Sequence, residues 1–180
     1  MRKGKFSWRI LWENFVFQEG KHFYKMPTFL ARNVMYRKID SHDKVVEAFE
    51  IIKKYFAPLT KIPDTKILRD ERWHYIIKQK SISWEKLSRK IFENNPKLLS
   101  KFKRLIIANE IMWLKEWVFL DLLGSDIVTH PQTIHNLLTD GENIYIFDFG
   151  LLEKSSKNIF FRYFSHFWQK FQLLFLKIFY

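Results

Sequence analysis

The stretch from Asn136 to Gly150, NLLTDGENIYIFDFG, constrains the fold of this 180-residue chain more than any other. Two short apolar runs flank Asp140 and Gly141, and Asp-Gly between such runs predicts a β-hairpin with a tight turn. The hairpin carries Asn136 on its first strand and Asp148-Phe149-Gly150 at the end of its second. A stiff hairpin therefore fixes the spacing between one amide oxygen and one carboxylate, both of them hard oxygen donors suited to magnesium.

The rest of the chain divides by periodicity. Phe6 to Phe17 and His22 to Met26 read as strands, with Gln18 to Lys21 as the turn between them. Asp40 or Ser41 can cap a helix in which Val45, Val46, Phe49, Ile52 and Phe56 recur at three and four residues, ending before Pro58. Thr65 to Leu68 and Trp73 to Ile77 are β-branched and aromatic enough for two more strands around the charged turn Arg69 to Arg72. From Ser83 the pattern turns helical, first over 83–93 and then in a long helix from Leu98 through Trp113 and Trp117 to Leu123, with Gly124 as a left-handed cap. The last part of that helix is apolar on more than one side, which predicts burial. A terminal amphipathic helix is expected over 158–180. The expected class is α+β, with an N-terminal β-rich lobe over 1–80 and a helical C-terminal lobe over 81–180.

Lysine plus arginine exceed aspartate plus glutamate by 31 − 19 = 12, so the surface attracts phosphates, nucleic acid or anionic lipid. With 47% apolar and 18% aromatic residues the chain can bury a core. There is no cysteine, which excludes disulfides and thiolate metal sites and fits a reducing compartment. Arg9 and Glu13 interrupt the apolar start, so no secretory signal is expected, and no run of about twenty uncharged residues predicts a spanning helix. The expected location is the cytoplasm, with peripheral attachment to the inner membrane as the variant.

A sheet with one helix, then a helical half, then an Asn and an Asp-Phe-Gly on a hairpin, is the order of parts in the protein-kinase-like superfamily, and the chain resembles that family at these residues. It looks most like the small bacterial members, the lipopolysaccharide-core sugar kinases and the PhoP regulatory network proteins. The resemblance implies ATP and magnesium as cofactors, with Asn136 and Asp148 as metal ligands, twelve residues apart. It further implies Lys25 as the strand lysine that neutralises phosphate, oriented by Glu47 or Glu50 on the following helix. Five residues before Asn136, where the family carries its catalytic Asp, stands Pro131; His130 is the neighbouring group able to accept a proton. No glycine-rich phosphate loop is present, since Gly20 is the only glycine between Phe6 and Leu123. Fewer than ten residues separate Gly150 from the last helix, too few for a peptide-binding segment, so the resemblance implies a sugar or glycolipid substrate.

Because positioning and charge supply most of the acceleration in phosphoryl transfer, loss of the base leaves both a weak kinase and a nucleotide-binding pseudokinase open. Two other classes compete. The charge and aromatics suit a nucleic-acid-binding protein, although no recognised motif or arginine cluster is present. The terminal helix, aromatic on one face with Arg162, His166, Lys170 and Lys177 on the other, suits an anionic membrane surface.

Overall fold

The computed structural model describes residues 14–27, 42–71, 74–82, 84–122, 133–147 and 151–153, together with positions 167, 170, 171, 174, 175 and 178. It is a mixed α+β protein with a small antiparallel sheet and helices. The described residues fall into two compact units: one comprises the residues up to Glu50 and those from Pro63 to Ile82, the other Ile51–Ile62 and the residues from Ser83 onward.

The first unit is built on a four-stranded sheet in the order β1-β2-β4-β3, formed by β1 (Asn14–Glu19), β2 (His22–Pro27), β3 (Thr65–Asp70) and β4 (His74–Lys80). Every pairing is antiparallel. Gly20 sits at φ 57 in the β1–β2 turn, a left-handed conformation that costs glycine little. One face carries Val16, Lys25, Ile77 and Ile67 in cross-strand register; Phe17 and Tyr24 stack on the other at 4.9 Å. Helix α1 (His42–Phe56) starts in this unit. His42 Nε2 lies 3.2 Å from the Ile67 carbonyl, and Arg69 donates to Asp43 at 2.5 Å, so the first turn of α1 is tied to β3. The expected hairpin and helix thus stand; the strands Phe6 to Glu13 and the caps Asp40 and Ser41 lie outside the described residues.

In the second unit, β5 (Glu85–Ser88), β7 (Thr133–Thr139) and β8 (Ile144–Ile146) form a three-stranded sheet. Helices α2 (Arg89–Asn94) and α3 (Pro96–Glu116) follow β5, and β6 (Val118–Leu120) pairs with β9 (Leu151–Glu153). Ser88 Oγ caps α2 through Ile91 N–H, and Asn95 Oδ1 caps α3 through Leu98 N–H with Pro96 in the first turn. Leu87, Leu98, Phe102, Leu105, Met112, Ile134, Leu137, Ile144 and Ile146 are buried, and Phe92 stacks on Phe102 at 4.9 Å. Each fully buried side chain of this size stabilises by roughly 1.5–3 kcal/mol.

Three helical expectations are corrected here. The segment 83–93 is not one helix: Glu85–Ser88 pairs with β7, where Leu87 meets Ile134, and only then does α2 begin. The long helix stops at Glu116, and Val118 to Leu120 is a strand, because their branched and aromatic side chains are buried and their backbone pairs with β9. Its cap is Trp117 in the left-handed region, φ 61, at a cost of roughly 1–2 kcal/mol that glycine would not incur; Gly124 lies outside the described residues. Nor is the end of α3 buried all round, since Ile107, Ile111 and Leu114 are exposed. Buried Asn109 secures the junction: its Nδ2 donates to the Leu120 carbonyl at 2.9 Å and its Oδ1 accepts from Leu120 N–H at 2.8 Å, so a side-chain amide completes what a neighbouring strand would supply. The last turn of α1 belongs to this unit, where Lys54 and Tyr55 both donate to Glu116 Oε1, at 2.6 and 2.8 Å. Among the described residues no helix is long and apolar enough to cross a membrane.

Candidate functional site

Asn136 lies within β7, one residue before the Leu137–Ile146 pair. Phe147 N–H donates to the Asn136 carbonyl at 3.3 Å, so the residue preceding Asp148 is bonded directly to Asn136. Beyond the motif, Leu151 pairs with Leu120, and Asp121 follows Leu120. The residues that flank the Asp-Phe-Gly triplet are thereby held to the backbones of β7 and β6. Asp148 itself lies outside the described residues, as do His130 and Pro131.

The half-buried side chain of Asn136 donates from Nδ2 to the Asp121 carbonyl at 2.6 Å. That bond fixes the amide plane and leaves Oδ1 with no hydrogen bond among the described residues. A held carbonyl oxygen is a suitable ligand for a hard cation. Asp121 was not anticipated as a site residue, because a backbone acceptor has no signature in the sequence.

At the far end of the hairpin, residues 140–143 form a four-residue loop instead of the expected two-residue turn. Asp140 Oδ1 accepts from the N–H groups of Glu142 and Asn143, at 3.0 and 2.7 Å, and Oδ2 accepts from the Tyr145 hydroxyl at 2.8 Å. Gly141 adopts φ 91. Desolvation works to raise the Asp140 carboxyl, but the donors from Asn143, Tyr145 and Glu142 outweigh it and hold it well below the usual carboxylate range. Burial, and then the Asp140 hydrogen bond, push the Tyr145 hydroxyl up to about 12. Asn95 Nδ2 and Lys101 Nζ donate to the carbonyls of Gly141 and Glu142, at 2.7 and 2.6 Å, so the tip is fastened to the start of α3. Asp140 therefore builds the turn.

Lys25 belongs to the first unit and is 3% exposed on a central strand, opposite Val16 and Ile77. Lysine is almost never buried to this degree unless it is paired. Glu47 and Glu50 are on α1 and both are exposed. Gln79, which the sequence reading passed over, is fully buried on the same sheet face as Lys25, diagonal to it across the β2–β4 register. The Thr65 hydroxyl gives its single proton to the Pro63 carbonyl at 2.6 Å, so Gln79 Nε2 must be the donor in the 3.3 Å contact to Thr65 Oγ1. This sets the amide orientation and leaves Gln79 Oε1 without a hydrogen-bond partner among the described residues. A glutamine among the apolar residues of β4 was the available signal.

Among the described residues no cluster of three or more histidine, aspartate or glutamate side chains is placed to hold a metal. Magnesium bound with a nucleotide needs only one or two protein oxygens beside phosphate and water, so an Asn136 and Asp148 pair fits its chemistry. No protein-family model, curated protein or solved structure matches the chain.

Proposed function

We propose that this is a kinase-like protein that binds ATP with magnesium, a pseudokinase or a weak phosphotransferase on a sugar or lipopolysaccharide precursor, with the two-lobed arrangement of that superfamily. The observation that carries the reading is the Asn136 amide, oriented by the Asp121 carbonyl and bonded through its backbone to the residue before Asp148. Asn136 Oδ1 and Asp148 would hold the magnesium, whose chemistry is to neutralise the phosphate oxygens. In the first unit, Lys25 supplies a cation for phosphate, with Glu47 or Glu50 to orient it. Gln79 Oε1, an orphaned acceptor on the same sheet face, suits a ligand N–H such as an adenine amine.

Pro131 in place of the catalytic Asp favours impaired catalysis, with His130 as the alternative base. A cytoplasmic site of action accords with this reading. Thermal shift with ATP and magnesium tests it: the melting temperature rises with both together, and Asn136→Ala and Asp148→Ala each reduce the rise. No shift at millimolar nucleotide, in a protein that melts cooperatively, would sink the proposal.

A further inference from the structure

The exposed face of α3 is apolar toward its C-terminal end and cationic along its flanks. Ile107, Ile111, Leu114 and Trp117 recur at four, three and three residues and are 56, 40, 71 and 51% exposed. The other exposed positions on the helix are Pro96, Lys97, Ser100, Lys103, Arg104 and Lys115, with no exposed carboxylate among them. The two acidic residues of α3, Glu110 and Glu116, are half-buried, and Glu116 is engaged by Lys54 and Tyr55.

Trp117 adds a second, independent observation. A bulky aromatic at φ 61 occupies a position where glycine is the ordinary helix stop, and it leaves about half its surface in solvent. Strain kept at an exposed tryptophan points to a role outside the fold. Indole, with an apolar body and a polar N–H, suits the boundary between lipid headgroups and acyl chains.

We infer that this face of α3 docks on an anionic lipid bilayer. The helix lies in the plane of the interface. Ile107, Ile111, Leu114 and Trp117 enter the acyl boundary, and Lys103, Arg104 and Lys115 meet lipid phosphates. The charge selects lipid over a second copy of the chain, because an antiparallel or parallel pairing of two α3 faces would bring like cations together, whereas a net charge of +12 is drawn to an anionic leaflet. The inference is independent of nucleotide binding.

The test is co-sedimentation of the full chain with phosphatidylcholine vesicles, with and without about one-third phosphatidylglycerol. Binding is expected to the anionic vesicles only and to weaken with salt. Leu114→Ser with Ile111→Ser, both on the surface, should lower partitioning on the order of tenfold. Trp117→Gly should raise the melting temperature while weakening partitioning, a combination that a purely structural cap would not give. Phe167→Ser with Ile178→Ser locates the contact, since these exposed positions of the terminal segment are the competing apolar surface. The inference is overturned if partitioning is lost only in that second pair, if neutral vesicles bind equally well, or if no vesicle binds. A dimer that Leu114→Ser dissociates would equally overturn it, in favour of a second copy on this face.

Discussion

The Asn136 side chain donates to the main-chain carbonyl of Asp121 at 2.6 Å. This bond joins the entrance of the β7–β8 hairpin to the residue that leaves β6. Asn136→Asp keeps an oxygen donor but loses the N–H, placing a carboxylate against the Asp121 carbonyl. Magnesium-dependent nucleotide affinity should fall at least about tenfold in Asn136→Ala. In Asn136→Asp it should fall as well, although the ligand charge rises. Isothermal titration with magnesium and ATP reads both, and equal affinity in wild type and Asn136→Ala would remove Asn136 from the site.

Lys25→Met keeps an apolar side chain of similar length and removes the buried ammonium. It is expected to bind nucleotide more weakly in isothermal titration with magnesium and ATP. A folded variant that binds normally contradicts the assignment of Lys25 to phosphate.

Asn109 should be costly to replace. Asn109→Leu leaves Leu120 N–H and C=O buried without their partners, and each unsatisfied group costs roughly 1–3 kcal/mol. Urea unfolding should show a loss of about 2–6 kcal/mol, summed over the two groups. Asn109→Asp should lose the Leu120 carbonyl contact alone and add a buried charge.

The turn at residues 140–143 predicts sensitivity to pH at both ends of the scale. The Asp140 carboxyl is lowered from its ordinary 3.8, so its contribution is fully present above that pH and is lost as acid carries the pH down toward the folded value. The Tyr145 hydroxyl is raised from 10.0 to about 12, so its contribution is present below pH 10 and is lost as the pH rises through 12. Thermal melts across pH should show a shallower acid slope in Asp140→Asn and a shallower alkaline slope in Tyr145→Phe than in the wild type. Unchanged slopes would mean that other groups set the pH range.

Helix α1 was legible because Val45, Phe49, Ile52 and Phe56 repeat at helical spacing, a local property of the chain. The β7–β8 hairpin was legible from its apolar runs and its Asp-Gly. By contrast, Glu85–Ser88 and Val118–Leu120 continue the helical patterns beside them, and they become strands only by pairing with β7 and β9, far along the sequence. Long-range pairing outweighs local propensity there. Asn136 and Asp148 stand out in the sequence through the hairpin motif, and Asp148 lies outside the described residues; the Asp121 carbonyl that orients Asn136 and the buried acceptor on Gln79 depend on the folded backbone. The end of α3 is apolar on more than one side, yet Ile107, Ile111 and Leu114 are exposed, because local periodicity does not say which apolar side chains find a neighbour.

Residues 51–62 belong to the second unit although the chain on either side of them belongs to the first. Within that insert, Lys61 N–H donates to the Ile144 carbonyl and the Lys61 carbonyl accepts from Ile146 N–H, which closes the outer margin of β8. During synthesis, therefore, these residues emerge long before their hydrogen-bonding partners do. A fragment cut after Ile82 would leave Lys61 without the β8 backbone it bonds, so the first unit cannot be excised as a native piece by a single cleavage.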